Sequence, residues 1–355
     1  MRQSRHGGNL AWAAAIARCS PDAILDFSAS ISPLGPPQSA IAAIISHLAH
    51  LQHYPDPDYS DLRTALGHFH QLPPEWILPG NGSAELLTLV GRDLADLAAT
   101  ILFTPAFGDY YRTLTANKAK VLEFPVIYTQ SGIASWVLPD IPGSNCGLLL
   151  NNPHNPTGKL FLRESILPYL EKFALVVVDE AFMDFLPPEQ EQSLISWVQE
   201  YPNLVILRSL TKFYSLPGLR LGYAIAHPER LSKWQQWRDP WPVNTLAAAA
   251  AVAAIQDQDF QQQTWQWLPP ARNQLFAGLA ALPSLKPESG LANFILVESQ
   301  SSTSELQQKL LQQHQILIRD CLSFKELGDR FFRVAVRSHS DNERLLTALR
   351  QECNL

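Results

Sequence analysis

Short aliphatic and β-branched runs alternate with helical stretches between about Leu78 and Ile255. The clearest run, Leu175–Val178, is typical of a strand buried on both faces. This alternation predicts an α/β fold: a mostly parallel sheet with helices on both faces. Because ligand-binding groups gather at the carboxyl ends of the strands in such a sheet, polar residues just past these runs are the first functional candidates.

One lysine lies in such a position. The segment Ser209–Tyr223, SLTKFYSLPGLRLGY, follows an apolar run and places Lys212 between Ser209 and Arg220. A lysine amine that loses its proton forms a Schiff base with an aldehyde cofactor, and pyridoxal 5'-phosphate is the usual one. Ser209 and Arg220 would then hold the cofactor's phosphate. The alternative is a strand, a turn at Pro217 and a second strand, with Lys212 merely exposed.

Two further polar residues suit the same cofactor. Asp179 ends the run Leu175–Val178, where a carboxylate can pair with a protonated pyridine nitrogen; the alternative is a helix cap. Asn155 lies in a proline-rich turn after another apolar run and is placed to donate to the phenolic oxygen. The alternative is a plain turn. The peptide bonds before Pro153 and Pro156 can each be cis or trans.

A glycine turn precedes a predicted helix at residues 79–87, PGNGSAELL. The free N–H groups and the dipole of a helix N-terminus suit a phosphate, so we predict that Gly82, Ser83 and Ala84 bind the cofactor. The turn lacks the Lys-Ser/Thr ending of a nucleotide-binding P-loop.

Together these segments resemble the aspartate aminotransferase-like, fold type I pyridoxal-phosphate enzymes, from His6 to the C-terminus. Within them the chain is most similar to the L-threonine-O-3-phosphate decarboxylases of cobalamin biosynthesis. The segments that carry this resemblance are HGGN at 6–9, DFSASISPLG at 26–35, HYPDPDY at 53–59, ILIRDC at 316–321, FRVAVRS at 332–338 and DNERLL at 341–346.

The resemblance implies roles for individual residues. Lys212 and Asp179 are catalytic, and Phe107 lies against the cofactor's face. Tyr54 corresponds to a tyrosine that reaches the cofactor phosphate of the neighbouring subunit, which implies a homodimer with shared sites. The residues expected to bind the substrate are His6, Gly7, Ser30, Asn155, Arg319, Arg333 and Arg337.

Within this substrate set, Arg333 aligns with the family's carboxylate-binding arginine, and Arg319 and Arg337 are further cations. His6, with the amides of Gly7 and Gly8, is expected to clamp a phosphate. The alternatives are a solvated surface arginine and a loose N-terminal tail. Ser30 departs from the family, which often has asparagine there.

The predicted reaction is decarboxylation of O-phospho-L-threonine to (R)-1-aminopropan-2-yl phosphate for the cobalamin nucleotide loop. The alternative is a histidinol-phosphate aminotransferase, which usually has glycine in place of Arg337 and often a hydroxyl in place of Phe182. A non-catalytic ligand sensor is a second alternative, which the retained lysine, aspartate and arginines disfavour.

Composition limits the possible partners. The 355 residues carry a net charge of -6, and 46% of them are hydrophobic. No basic surface for nucleic acid or anionic membrane is expected, so local arginines must capture an anionic substrate. The four cysteines have neither disulfide-framework nor zinc-site spacing, and no metal is predicted.

The predicted organisation has three parts: residues 1–45 as an N-terminal arm with part of a small domain, 46–255 as a large cofactor-binding domain, and 256–355 as the small C-terminal domain. The apolar stretch Leu10–Ala17 is interpreted as a helix rather than a signal peptide. Leu246–Ile255 is too short to span a bilayer, which takes about 20 residues. A cytoplasmic enzyme is expected.

Overall fold

The computed structural model of the protein describes residues 7–125, 127–128, 134–135 and 143–353. Its strands are β1 (Leu25–Asp26), β2 (Ile77–Gly80), β3 (Ala99–Thr104), β4 (Val121–Pro125), β5 (Ile127–Tyr128), β6 (Ala134–Ser135), β7 (Cys146–Asn151), β8 (Leu175–Asp179), β9 (Leu204–Ser209), β10 (Gly222–Ala226), β11 (Leu285–Pro287), β12 (Phe294–Ser299), β13 (Ile316–Leu317), β14 (Arg319–Asp320) and β15 (Phe331–Ala335).

The α-helices are α1 (Leu10–Ala17), α2 (Gln38–Ser46), α3 (Ser60–His70), α4 (Gly82–Ala95), α5 (Gly108–Ala116), α6 (Arg163–Lys172), α7 (Pro228–Gln235), α8 (Thr245–Gln256), α9 (Gln258–Ala280), α10 (Thr303–His314) and α11 (His339–Cys353). Short 3₁₀ helices lie at Pro21–Ala23, Leu48–Gln52, Pro74–Trp76, Met183–Phe185, Ile195–Trp197, Pro217–Leu219 and Gly328–Arg330. In the described ranges, none of the helices combines the length and the apolar character needed to cross a membrane.

A seven-stranded sheet in the order β2-β10-β9-β8-β7-β3-β4 forms the centre of the larger part of the fold. The strands β9, β8, β7, β3 and β4 pair in parallel, whereas β10 runs antiparallel to both of its neighbours. This is the mostly parallel α/β sheet that the sequence pattern predicted, and the predicted fold class is confirmed.

The central strands are buried on both faces because their side chains alternate between two apolar layers. In β8, Val176 and Val178 pack into one hydrophobic cluster, whereas Leu175 and Val177 pack into another on the opposite face. Every residue of β8 is buried, which explains the absence of polar positions before Asp179. The first polar side chain of this strand therefore lies at its carboxyl end.

A smaller antiparallel sheet, in the order β11-β12-β15-β14, lies in the C-terminal part of the chain. The N-terminal segment joins this part, because β1 pairs in parallel with β13 through Leu25 opposite Ile316 and Asp26 opposite Leu317. Helix α1 begins at Leu10, as the sequence predicted. The domain limits at residues 45 and 255 remain a prediction.

Candidate active site

A cavity of about 280 Å³ lies at the carboxyl ends of β7, β8 and β9. The predicted site residues among those that line it are Gly7, Ser30, Ser83, Ala84, Phe107, Asn155, Asp179, Ser209, Lys212, Arg220, Arg319 and Arg333. Residues far apart in the sequence thus meet in one cavity, at the sheet edge where parallel strands place their ligand-binding groups.

Lys212 lies three residues beyond the end of β9, with its side chain at the cavity wall. Burial lowers the pKa of Lys212 to about 8, and the positive charges of Arg333 and Arg220 act in the same direction. Asp179 opposes this shift with its negative charge. A lysine in these surroundings is neutral in a much larger fraction than a solvated one, so it is prepared to attack a carbonyl carbon.

Asp179 is held in place by two donors. The Tyr110 hydroxyl donates to Asp179 Oδ2 at 2.8 Å, and the Ala181 amide donates to Oδ1 at 3.1 Å. Burial raises the pKa of Asp179, whereas these hydrogen bonds and the charge of Lys212 lower it. A buried carboxylate with a fixed orientation is suited to pair with a positively charged group in the cavity.

The N-terminus of α4 is suited to bind an anion. The Asn81 side chain makes no capping hydrogen bond, so the first N–H groups of α4, at Ser83 and Ala84 beside the cavity, are not satisfied by a cap. Gly82 has φ +73°, and a Cβ there would lie 2.8 Å from Arg220 Nη2. The small residue at position 82 therefore lets the guanidinium approach the start of the helix.

A hydroxyl pair lies at the end of β9, where Ser209 Oγ and Thr211 Oγ1 are 2.7 Å apart. Both residues line the cavity together with Arg220. With the α4 terminus, these groups combine donors and positive charge in the way a phosphate requires.

Two arginines of the small sheet enter the cavity from the other side. Arg333, on β15, is 9% exposed, and its guanidinium carbon lies 4.6 Å from the centre of the Phe294 ring. Burial lowers the pKa of Arg333 to about 10, and the nearby charge of Arg319 adds to this effect, so Arg333 stays protonated at neutral pH. Arg319 donates to Ser323 Oγ at 2.7 Å.

Arg333 Nη1 donates to Asn155 Oδ1. Because the amide oxygen of Asn155 is engaged in this way, its NH₂ group is left to donate to another acceptor in the cavity. Asn155 and Asn152 each precede a proline in a cis peptide bond, as Thr104 also does.

Three described residues that the sequence predicted for the site do not line the cavity, and a fourth predicted residue lies outside the described ranges. Gly82 sits beside the cavity at the start of α4, and His6 lies outside the described residues. Tyr54 is 78% exposed and stacks on Trp241 with ring centroids 4.4 Å apart. Arg337 donates through Nε to Asp341 Oδ2 and through Nη1 to the Asp26 carbonyl, away from the cavity. These contacts do not support the prediction that Arg337 binds the substrate.

The expected phosphate contact of the Gly8 amide is not supported either. That N–H donates to Ser28 Oγ at 2.8 Å, so it is not available to a ligand in this arrangement. Its partner Ser28 lines the cavity beside Gly7.

Sequence reasoning missed several residues of the cavity, chiefly Tyr110, Thr211, Ser28 and Ser323. Tyr110 had a usable signal, because it follows Phe107 by three residues and a helix places both on one face. The two rings meet edge to face with centroids 5.6 Å apart. Thr211 also had a signal in the sequence, because it is a hydroxyl residue directly before Lys212.

Residues 22–349 match the family described as aminotransferase class I and II. The chain is 39% identical to the threonine-phosphate decarboxylase of Salmonella typhimurium, over 98% of this chain and 96% of that protein. It is 31% identical to an adenosylcobalamin biosynthesis bifunctional protein of Leptospira interrogans, over 98% of this chain and 41% of that protein.

Among solved structures, the histidinol-phosphate aminotransferase of Clostridium acetobutylicum superposes with a TM-score of 0.84 at 26% identity. The match covers 93% of this chain and 99% of that one. The overall fold is therefore shared with an aminotransferase, whereas the sequence is similar to that of a decarboxylase.

Proposed function

The chain belongs to the class I and II aminotransferase family, and within it we propose that the protein decarboxylates O-phospho-L-threonine with pyridoxal 5'-phosphate as cofactor. The resemblance expected from the sequence is confirmed at the level of the family. The observation that carries the reaction is that one cavity joins a depressed-pKa lysine, a buried carboxylate and two arginines. The product would be (R)-1-aminopropan-2-yl phosphate, used in the cobalamin nucleotide loop.

The residues present fit the cofactor. The α4 terminus with Ser209, Thr211 and Arg220 would hold its phosphate, and Asp179 would face its ring nitrogen. Asn155 would donate to its phenolic oxygen, and Phe107 would cover one face of its ring. When bound, the cofactor supplies a reactive aldehyde and a ring that withdraws electrons from the substrate's Cα bonds.

Lys212 has two tasks in this reaction. Its neutral amine, favoured by burial and by two neighbouring arginines, would bind the cofactor before the substrate arrives. Once displaced by the substrate amine, it would be free to deliver a proton to the carbon that loses CO₂. Asp179, oriented by Tyr110 and Ala181, would keep positive charge on the ring nitrogen throughout.

The choice between losing CO₂ and losing a proton would depend on how the protein orients the substrate's Cα bonds when the cofactor is bound. We propose that Arg333 binds the carboxylate and thereby sets this orientation, since it is buried, protonated and fixed by Asn155 and Phe294. Arg319 supplies the second positive charge needed for the phosphate of the substrate. Phe182 borders the cavity with a ring packed on Phe294, where aminotransferases often have a hydroxyl.

We also propose a cytoplasmic homodimer whose subunits share their sites. The supporting observation is a set of exposed apolar side chains in the segment that precedes Tyr54 and at Trp241, whose ring stacks on Tyr54. Its exposed members are Ile45 (63% exposed), Leu48 (48%), Leu51 (59%) and Trp241 (41%). A second copy that covers these side chains would bury Tyr54 and bring it towards a neighbouring cavity.

The reaction is tested by supplying the purified holoenzyme with O-phospho-L-threonine and measuring CO₂ release with no keto-acid acceptor. Histidinol phosphate with 2-oxoglutarate, followed by glutamate formation, is the parallel assay. We expect CO₂ to be released and aminopropanol phosphate to accumulate in equal amounts. Activity that requires 2-oxoglutarate and prefers histidinol phosphate would replace the decarboxylase proposal with the aminotransferase, while the cofactor site would stand.

A further inference from the structure

The segment Gly7–Asn9, called the glycine arm below, is held by its backbone against the cavity wall. A Cβ at Gly7 would lie 2.2 Å from the Ser28 carbonyl oxygen, so only glycine fits this close approach. Gly8 has φ +83°, in the left-handed region that favours glycine. The side chain of Asn9 then accepts from the Trp12 amide and begins α1. The sequence HGGN thus has a structural reason at each described position.

A relay of two side chains fastens this arm. Asp26 Oδ1 accepts from the Ser28 amide at 2.7 Å and from the Ser28 hydroxyl at 2.6 Å. Because a serine hydroxyl has one proton, Ser28 Oγ can only accept from the Gly8 amide, and it does so at 2.8 Å. The carboxylate therefore sets the direction of the whole chain of hydrogen bonds.

The fastening point lies at the cavity. Gly7 and Ser28 both line it beside the cations Arg319 and Arg333. Arg333 Nη2 also approaches the Ser28 carbonyl at 3.5 Å, and Arg337 Nη1 donates to the Asp26 carbonyl at 3.2 Å. The backbone at Asp26–Ser28 thus connects the glycine arm with two arginines. These are Arg333, on β15, and Arg337, in the segment after β15.

We propose that Ser28, oriented by Asp26, is a positioning residue that fixes the glycine arm as one wall of the substrate cavity. This role rests on the proposed function: Gly7 of the arm lines the cavity together with Arg319, where the phosphate of the substrate would bind. Ser28 shapes the cavity through its contacts with Gly7 and Gly8. Arg337 supports this segment through its hydrogen bond to the Asp26 carbonyl. This gives Arg337 a role in the site without contact to the substrate.

The test compares Ser28→Ala, Asp26→Asn and the double variant with wild type, all as holoenzymes. Ser302→Ala is the matched control, because Ser302 also donates to an aspartate, Asp329 at 2.6 Å, and accepts from a backbone amide, that of Glu305. Ser302 lies at the start of α10, outside the residues that line the cavity. Thermal melting of each variant reports whether the fold is intact.

The first measurement is deuterium uptake by an N-terminal peptide that contains residues 7–12. We expect Ser28→Ala to speed exchange in this peptide by up to about tenfold, since one hydrogen bond is lost. The double variant should exchange no faster than Ser28→Ala, because Asp26 acts through Ser28. Unchanged exchange in Ser28→Ala, or an additive increase in the double variant, would overturn the relay. This result does not depend on which reaction the enzyme catalyses.

The second measurement is kinetic. For O-phospho-L-threonine, KM should rise about three- to tenfold in Ser28→Ala while kcat changes by less than about twofold, and the inhibition constant of inorganic phosphate should rise with KM. Ser302→Ala should change none of these values. Faster exchange with unchanged KM and unchanged phosphate inhibition would show that the arm does not shape the site, and the proposal would fail. A wild type without decarboxylase activity would instead refute the proposed function.

Discussion

At the residue scale, the chemistry depends on how neighbours set the charge of two buried groups. Asp179 has Tyr110 and Ala181 as hydrogen-bond donors, and Lys212 has two arginines that favour its neutral form. These neighbours explain why an ordinary lysine and an ordinary aspartate are suited to cofactor chemistry here. Replacing the side-chain donor to Asp179, or the arginines beside Lys212, should lower turnover more than it lowers the free energy of unfolding.

Asp179→Asn keeps the size of the side chain but removes the negative charge. We expect the cofactor still to bind and turnover to fall on the order of a hundredfold or more, because an amide cannot stabilise a positive ring nitrogen. Tyr110→Phe should cost about tenfold or less, the value of one hydrogen bond to a charged group. Tyr111→Phe is the control, since Tyr111 bonds Glu123 instead. Near-normal turnover in Asp179→Asn would mean that another group performs this role.

Arg333→Ala removes the proposed carboxylate site. Loss of a charge-assisted contact is worth roughly 1.5–3 kcal/mol, so kcat/KM for O-phospho-L-threonine should fall by about one to two decades. Histidinol phosphate, which has no carboxylate, should depend on Arg333 less. Arg337→Ala tests the placement of that side chain away from the cavity: a loss as large as that of Arg333→Ala would place it in the substrate site after all.

At the element scale, the phosphate site proposed at the start of α4 depends on how closely this helix approaches the sheet. Gly222, the first residue of β10, faces the start of α4. A Cβ there would lie 2.6 Å from the Arg208 carbonyl oxygen and 2.8 Å from the Ser83 amide nitrogen. Both neighbours are backbone atoms, so a side chain at 222 cannot be accommodated without moving the helix terminus.

Gly222→Ala is therefore expected to displace the start of α4 and weaken cofactor binding, with an overpacking cost of about 1–3 kcal/mol in stability. Gly218→Ala is the matched control, because a Cβ there meets no atom within 4 Å. The measurement is the cofactor dissociation constant of each variant, obtained by fluorescence titration. Equal cofactor affinities in the two variants would show that the closeness of α4 to β10 is unimportant for cofactor binding.

At the scale of the whole molecule, the proposed dimer makes each site depend on two chains. Tyr54→Ala and Lys212→Ala subunits should each be strongly impaired alone. Co-expressed, they should regain about a quarter of wild-type activity, the share of sites with both residues intact in a random mixture. Light scattering should give twice the mass of one chain. Absence of recovery in a confirmed mixed dimer would contradict the shared site.

The sequence predicted the fold and the part of the site that follows each strand, because Asn155, Asp179 and Lys212 lie where local patterns place them. It could not predict the Tyr110 hydrogen bond to Asp179, which depends on how the fold brings the start of α5 next to the end of β8. The relay from Asp26 to Gly8 was hidden for the same reason, since Gly8 lies 20 residues from Ser28 in the chain. The sequence also does not reveal the contact of Arg337 with Asp341, and substrate binding by Arg337 stays a prediction.

We propose that Lys212 is the residue to which the cofactor is covalently attached. The measurement is reduction of the holoenzyme with borohydride, followed by digestion and mass analysis of the peptides. We predict the mass of the reduced cofactor on the peptide that contains Lys212, and its absence from Lys212→Ala together with loss of turnover by orders of magnitude. The cofactor mass on buried Lys159, or on no lysine, would contradict the assignment of Lys212.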